Sequence, residues 1–491
     1  MKKIAIIGAG IGGLFAGNLL AKKGHKVTIF EAHSSPGGYT AGFWKKGFYF
    51  ESGTLSFESS DAVFKAMKNI GVFDKIKFAR QKIGLKAEGL DGVCENYRDL
   101  KKLFYSSYPL EKPRMDKYFA VVDQMCNLIM TVMKPVSFID FLCYPFRFVN
   151  FLRFYEKYKK ITIMDFTAQY FERDSSLYRL LSGFGYPDMS AAIIGPAYLS
   201  FFDDYWTVED GMQSWADILA ENFRSLGGDL KLNAPVDKIL TENMMAIGVI
   251  SKNNEYRTDY VISAADYKKT LLQLLDDPSL LPDALRKKIE NTPVSEGIFT
   301  VYLGLNLTNE YLKKLLKVPH VSYHYEAPDT DIHNSKDEKY FEKTSVMLYS
   351  PSLMNPKLAP EGKSSLMILA FSPYRWMNNW GGGDKAKYRE LKDKVKKALI
   401  AKASAVISNL TDNIEFEDAA TPLTYERYTG NTDGATSAWS WNPKNKFYDN
   451  IMSINIRTPV KNLLIGSCWS CQIGGVPSAI GAAYKCAAKI K

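Results

Sequence analysis

The sequence predicts an α/β protein in which a βαβ unit at the N-terminus is joined to a second, discontinuous α+β region containing a mixed sheet. Three observations carry that expectation. The first thirty or so residues run strand, glycine turn, helix, strand; the last thirty run strand, glycine turn, helix; and the stretch between alternates apolar residues with helical clusters. At 491 residues the chain is too long for one ordinary core, so two or three lobes are expected.

The N-terminal unit can be read residue by residue. Lys3 to Ile7 is a short apolar run, as a central parallel strand covered on both faces requires. Gly8-Ala9-Gly10-Ile11-Gly12-Gly13 follows at once, and Leu14 to Lys23 reads as a helix ended by Gly24. His25 to Phe30 is a second strand that terminates in Glu31-Ala32. Gly8 permits a tight turn, Gly10 lets backbone approach a pyrophosphate, and Gly13 lets the helix close on the strand. The helix start offers free N–H groups and a positive dipole end to phosphates. Glu31 stands 21 residues after Gly10, where a carboxylate takes ribose hydroxyls and disfavours a 2′-phosphate. Strand, glycines, helix, second strand and acid all fall in register, which predicts a Rossmann-like dinucleotide site.

Which dinucleotide follows from the next segments. Ser35-Pro36-Gly37-Gly38-Tyr39-Thr40 comes a few residues after the acid, followed by Gly47 to Phe50 and Glu51-Ser52-Gly53-Thr54. This continuation resembles the FAD-binding proteins of the amine oxidase and phytoene desaturase superfamily. The resemblance implies FAD, with Gly37 and Gly38 wrapping the far side of the cofactor and Ser52-Gly53-Thr54 lying beside the flavin. Glu209-Asp210-Gly211-Met212-Gln213 introduces a helix through Phe223, and Leu230 to Val236 reads as a strand. Val261 to Asp266 is another buried strand and its exit. In the resembling family this block returns to the cofactor domain, with Val236 and Ala265 on the cofactor side. At the C-terminus Asn462 to Gly466 is a strand, and Gly474-Gly475-Val476-Pro477-Ser478-Ala479-Ile480 opens the last helix. That helix is expected to aim its N-terminus at the flavin, where N–H dipoles stabilise negative charge.

Taken with Ser350-Pro351-Ser352-Leu353, Ala359-Pro360-Glu361-Gly362 and Thr421 to Gly430, the chain is similar to the carotenoid desaturase, carotenoid isomerase and retinol saturase branch. One position departs from it. Many relatives carry an Asp after the glycine matched by Gly466, whereas Ser467 stands here and offers only neutral hydrogen bonding. The implied organisation is a discontinuous FAD-binding domain, 1–75, 205–290 and 445–491, and a substrate domain, 76–204 and 291–444. No second GxGxxG appears, so no NAD site is expected beside FAD.

Composition bounds the partners. Hydrophobic residues make up 46% and charged residues 24%, as in a well-packed globular protein. The net charge of +10 is thinly spread, concentrated only in runs such as Lys157-Tyr158-Lys159-Lys160. That favours an anionic membrane surface over nucleic acid, for which no signature is present. The six cysteines are too scattered for a disulfide scaffold and suggest a reducing, cytoplasmic setting. Cys468 and Cys471 form a CxxC, but no second pair or histidine cluster supports a metal, and none is expected. Met-Lys-Lys and its apolar run are cut by four glycines, which reads as a buried strand rather than a signal segment.

Residues 124–158 alternate apolar and aromatic clusters with single charges, and their longest uncharged stretch, 124–133, is too short to cross a bilayer. Pro135 and Pro145 are expected to divide the region into short helices. With Arg147, Arg153, Lys157, Lys159 and Lys160, it has the composition of a segment lying at the inner face of a membrane.

A flavin carries the redox chemistry itself, so the sequence need not contain a triad. Pocket candidates are Trp469, Tyr425 and His324, with His320 nearby; Tyr425-Glu426-Arg427 reads as an ion pair on a strand end. The expected function is an FAD-dependent oxidoreductase acting on carbon–carbon double bonds of an apolar polyene or lipid-like molecule, by desaturation, saturation or isomerisation. The external electron partner is left open. Two other readings share the cofactor unit: a flavin amine oxidase, and a flavin-bound membrane-associated protein without turnover.

Overall fold

The computed structural model describes residues 1–491 except Glu88, 134–137, Pro187, 324–335 and Met452, and the side chains of 130–133 and 138–144. Its organising element is a five-stranded, all-parallel sheet in the order Leu463–Ile465, Tyr260–Ser263, Lys3–Ile7, Lys26–Phe30, Asp229–Lys231. The strands come from the start, the middle and the end of the chain. The central strand KIAII is buried from Ile4 onward, because helices cover one face and a three-stranded antiparallel sheet (236–242, 245–251, 254–257) the other. The helix Ile11–Lys22 is so apolar that its first eleven residues are all buried, between Met212–Ser225 and the last helix, Val476–Lys489.

The helix Met212–Ser225 ends at Gly227, whose φ of +81° suits glycine. The strand expected over Leu230–Val236 is a misreading. The chain pairs in the parallel sheet only over Asp229–Lys231, then leaves it and begins a strand of a different sheet at Val236. Asn233 takes a positive φ of 51°, Pro235 has no N–H, and Asn233 and Ala234 spend theirs on the carbonyls of His33 and Glu31.

The second large sheet has seven strands in the order 414–420, 297–305, 364–372, 346–349, 320–323, 83–87, 90–94. All neighbours are antiparallel except His320–Tyr323 with Ile83–Ala87, so the sheet is mixed. Its middle strands, Gly297–Leu305 and Ser364–Ser372, are almost wholly buried, which explains their unbroken apolar sequences. One face packs on the helix Lys385–Ser404, the other on the hairpin Gly42–Glu51.

The described residues between 97 and 202 are mostly helical, with a core of their own around Tyr118, Phe119, Phe166 and Tyr198. Pro145 does not divide this region as expected. The helix Phe138–Tyr158 runs through the proline, since one missing N–H does not end a 21-residue helix; Pro135 lies outside the described residues. Among the described residues no helix is long and apolar enough to cross a membrane.

Candidate functional site

The glycine loop at the head of the parallel sheet is built as a cradle. Gly8 adopts φ +95°, which a side chain resists, and its N–H donates to Phe30 O at 2.8 Å. Gly10 has open space where a Cβ would stand, with no atom within 4 Å. The N–H groups of the following helical turn have no partner inside the helix, so the open face at Gly10 meets free donors and a positive dipole end. A phosphate-bearing group fits there. Gly13 has the expected packing role, its Cβ position being 2.0 Å from Gly8 O. Gly12 has one the motif alone did not reveal: a Cβ would lie 2.2 Å from Gly466 O, so its lack of side chain lets the first helix start against the C-terminal strand.

Glu31 closes the loop. It is 8% exposed, its Oε2 accepts the Ala9 N–H at 2.7 Å and its Oε1 accepts the His33 N–H at 3.0 Å. Each oxygen retains a further lone pair, so the carboxylate can hold the loop and still receive hydroxyls. Ala32 follows it, and Val236 lies alongside, packed with the Phe30 side of the sheet. Ala265 sits at the exit of the neighbouring strand, its backbone N 3.8 Å from the Cβ position at Gly8.

A second layer of turns lies over the cradle. Gly37 bridges Gly10, donating to Ala9 O at 2.9 Å, and Gly37 and Gly38 have φ of 130° and 59°. Thr40 Oγ1 donates to Gly37 O at 2.7 Å, Ser52 N to Ala41 O and Thr54 N to Tyr39 O, both at 2.8 Å. Gly53 is required because the Tyr39 ring occupies its Cβ position. The Tyr39 hydroxyl donates to Gly434 O at 2.9 Å, and burial holds its pKa far above the ordinary value.

The C-terminal segment completes the site. Ser467 Oγ donates to Ala265 O at 3.0 Å, which turns this side chain onto the backbone. Gly475, with φ +114°, precedes the last helix, which begins Val476-Pro477 and packs Val476 and Ile480 in one core with the first helix. Glu58 approaches this helix start, its Oε1 3.4 Å from the Cβ position at Gly475. Burial, with Asp204 adding to it, pushes the Glu58 pKa up to about 7.

A buried clamp that the motifs alone do not reveal ties these turns together. Glu51 is 1% exposed, accepts the Tyr49 hydroxyl at 2.8 Å and accepts the Met212 N–H at 3.1 and 3.2 Å. Burial raises its pKa to about 8. Gln213 donates to Pro36 O and accepts from Gly42 N, both at 3.1 Å. The signal was present as a single acid closing the apolar run Phe48-Tyr49-Phe50.

The model of an NAD(P)-binding Rossmann-like domain matches residues 6–70, and that of the flavin containing amine oxidoreductases matches residues 152–491. The chain belongs to the flavin containing amine oxidoreductase family. It is an FAD-dependent oxidoreductase. A 4,4'-diapophytoene desaturase (4,4'-diapolycopene-forming) from Methylomonas sp is 26% identical over 91% of this chain and 88% of its own length. An all-trans-retinol 13,14-reductase from Danio rerio is 24% identical over 94% and 81%. An oxidoreductase from Methanosarcina mazei shares the fold, with a TM-score of 0.63 and 15% identity over 98% and 99% of the two chains. These matches agree with the resemblance read from the motifs.

Two of the three pocket candidates of this flavoprotein, Tyr425 and Trp469, lie among the described residues. Tyr425 stacks on Tyr39 at 5.8 Å, and its hydroxyl meets Thr300 Oγ1 at 2.7 Å and Tyr302 at 3.2 Å. It lies on the helix Pro422–Thr429, not a strand end, because Thr421 caps that helix. Glu426 pairs with Lys269 at 3.4 Å and accepts the Tyr374 hydroxyl at 2.6 Å, so the ion pair expected within Tyr425-Glu426-Arg427 is instead made to a distant lysine. Trp469 is 1% exposed, beside Trp439 at 5.1 Å, and donates to Asn431 Oδ1 at 3.1 Å. His324 lies outside the described residues. Cys468 and Cys471 are free thiols; burial pushes Cys468 up to about 11 and Cys471 in the same direction, which makes them poor nucleophiles. Among the described residues no cluster of His, Cys, Asp and Glu could hold a metal.

Proposed function

We propose that this flavoprotein acts on carbon–carbon double bonds of an apolar polyene or lipid-like substrate, by desaturation, saturation or isomerisation. The observation that carries the reading is that a desaturase and a polyene alcohol reductase each match over nine-tenths of the chain, far beyond the cofactor segments. We also propose how the cofactor is held. Glu31 takes the adenosine ribose, with Val236 and Ala265 on that half. The Gly8–Gly13 loop takes the pyrophosphate. Gly37 to Thr40, Ser52 to Thr54, Gly466, Ser467 and Gly475 to Ile480 surround the flavin half.

Bound there, FAD supplies the transfer of a hydride or electrons. The chain's own contribution is to orient and exclude water. Tyr39 and Tyr425 stack beside Tyr302, and the apolar undersurface of the seven-stranded sheet, with Phe43, Phe50 and Met367, closes over them. The Gly475 helix start stabilises negative charge opposite it.

Access from a membrane surface belongs to the same proposal. Phe146, Phe148, Val149 and Leu152 are exposed on the helix Phe138–Tyr158, at 77%, 39%, 44% and 41%, close in sequence to Arg153 and Lys157. An exposed apolar stripe with basic neighbours suits a headgroup boundary.

The test of the reaction is anaerobic photoreduction of the flavin, addition of a polyene, and chromatography of the extracted polyene. Reoxidation of the flavin, or a change in the number or geometry of double bonds, is expected. A flavin that stays reduced beside an unchanged polyene overturns the reading.

A further inference from the structure

Two residues beyond Thr54 begins a group of buried polar side chains that the cofactor site does not use. Ser56, Gln81 and His320 are 7%, 2% and 0% exposed. Ser56 Oγ, both amide atoms of Gln81 and both ring nitrogens of His320 lack a hydrogen-bond partner. The three belong together. His320 pairs with Ile83 on one side and Tyr349 on the other, in the strand register, and Gln81 precedes Ile83 by two residues. The Gln81 N–H donates to Tyr205 O at 2.7 Å. The Tyr205 side chain faces Ser56 and that of Tyr349 faces Gln81. The rings of Phe201, Tyr205 and Tyr349 surround His320 at 5.6, 5.8 and 6.0 Å.

An unsatisfied buried polar atom is costly, and with tyrosine hydroxyls beside Ser56 and Gln81 it is the two His320 nitrogens, walled by aromatic rings, that folding leaves unexplained. Phe201 and Tyr205 are partly accessible although they lie in this interior, and Tyr205 also neighbours Glu58, the acid at the start of the last helix. The group therefore lies against two partly accessible rings and, through Tyr205, near the acid beside Gly475.

We propose that Ser56, Gln81 and His320 form a binding site for a neutral oxygen, an alcohol or a carbonyl, at one end of an otherwise apolar substrate. This rests on the polyene reading given above and narrows it to oxygen-bearing polyenes. The donor set suits such an atom. A serine, an amide and a neutral imidazole each offer both a donor and an acceptor, so hydroxyl and carbonyl are both accommodated. Burial depresses the His320 pKa to about 4, which keeps the imidazole uncharged at neutral pH. The ionisable groups that bear on its two tyrosines are acids, Glu58 at Tyr205 and Glu51 at Tyr349. A carboxylate or phosphate is therefore disfavoured.

The test uses FAD-loaded protein and two matched pairs of probes: a polyene alcohol with the polyene hydrocarbon of equal length, and 1-dodecanol with dodecane. Binding is read from tryptophan fluorescence and from melting temperature. The alcohol of each pair should bind about 10-fold tighter, the scale of one buried hydrogen bond. His320→Phe and Gln81→Leu should each abolish that preference while keeping or raising the melting temperature, because they remove unsatisfied polar groups. Equal binding of alcohol and hydrocarbon by the wild-type protein overturns the proposal. So does a variant that melts well below wild type with its preference intact, which would mean that the group is satisfied by buried water alone. If 1-dodecanol is preferred and both variants lose the preference, yet no polyene is bound or converted, the oxygen site stands and the polyene reading falls.

Discussion

Replacing Glu31 with Ala tests the cofactor cradle most directly. The carboxylate is buried and receives two backbone N–H groups, Ala9 at 2.7 Å and His33 at 3.0 Å. Truncation leaves the Ala9 donor, at a residue with 0% exposure, without an acceptor and removes the group proposed to bind the ribose. A hydrogen bond to a charged group contributes about 1.5–3 kcal/mol, so FAD affinity should fall by about 1–3 kcal/mol, roughly 5- to 150-fold. Glu31→Gln should fall between: its amide oxygen can still accept from one N–H, but its NH₂ then faces the other. FAD released on titration of apoprotein, followed by ultrafiltration, gives the dissociation constants. The melting temperature of the apoprotein, measured alongside, separates a loosened loop from a lost ribose contact. Unchanged FAD affinity in Glu31→Ala refutes the assignment of this strand end to the ribose.

Three further outcomes are expected. Cys471→Ser should leave flavin reduction and reoxidation within a factor of a few, since the thiol is buried and its pKa raised; a hundredfold loss would bring a flavin–dithiol relay into play. Glu51 has its pKa raised from 4.5 to about 8, so it binds its proton more tightly folded than unfolded. Its contribution is full below pH 4.5 and is lost as pH rises toward 8, by up to about 1.4 kcal/mol per pH unit. Glu51→Gln should flatten the melting-temperature profile across that window, and an unaltered slope would show that Glu51 titrates normally. Wild-type protein should sediment with anionic liposomes and less so in high salt. Phe146, Phe148 and Leu152 changed together to Ser should abolish this with FAD retained; Phe154 is spared because it packs on Tyr158 at 4.7 Å. Protein that stays in the supernatant at low salt rules out the membrane reading.

The sequence alone determined the backbone of the glycine turns at the head of the parallel sheet, because those demands are written in consecutive residues. Gly8, Gly37, Gly38 and Gly475 take a positive φ and Gly13 a close backbone approach to Gly8, demands that few residue types meet. What spans long separations was not legible. Gly12 is explained only by Gly466 O, which lies at the other end of the chain, and Glu51 only by the Met212 N–H. The Leu230–Val236 run looked like one strand because its composition is continuous, and only the carbonyls of Glu31 and His33 divide it. His320 shows the same limit most plainly. As a letter it was one histidine among five, and its meaning depends on Gln81, Ser56 and three aromatic rings brought from four stretches of chain. Local patterns encode backbone requirements, whereas a hydrogen-bonding group left open inside a core exists only once the elements around it have packed.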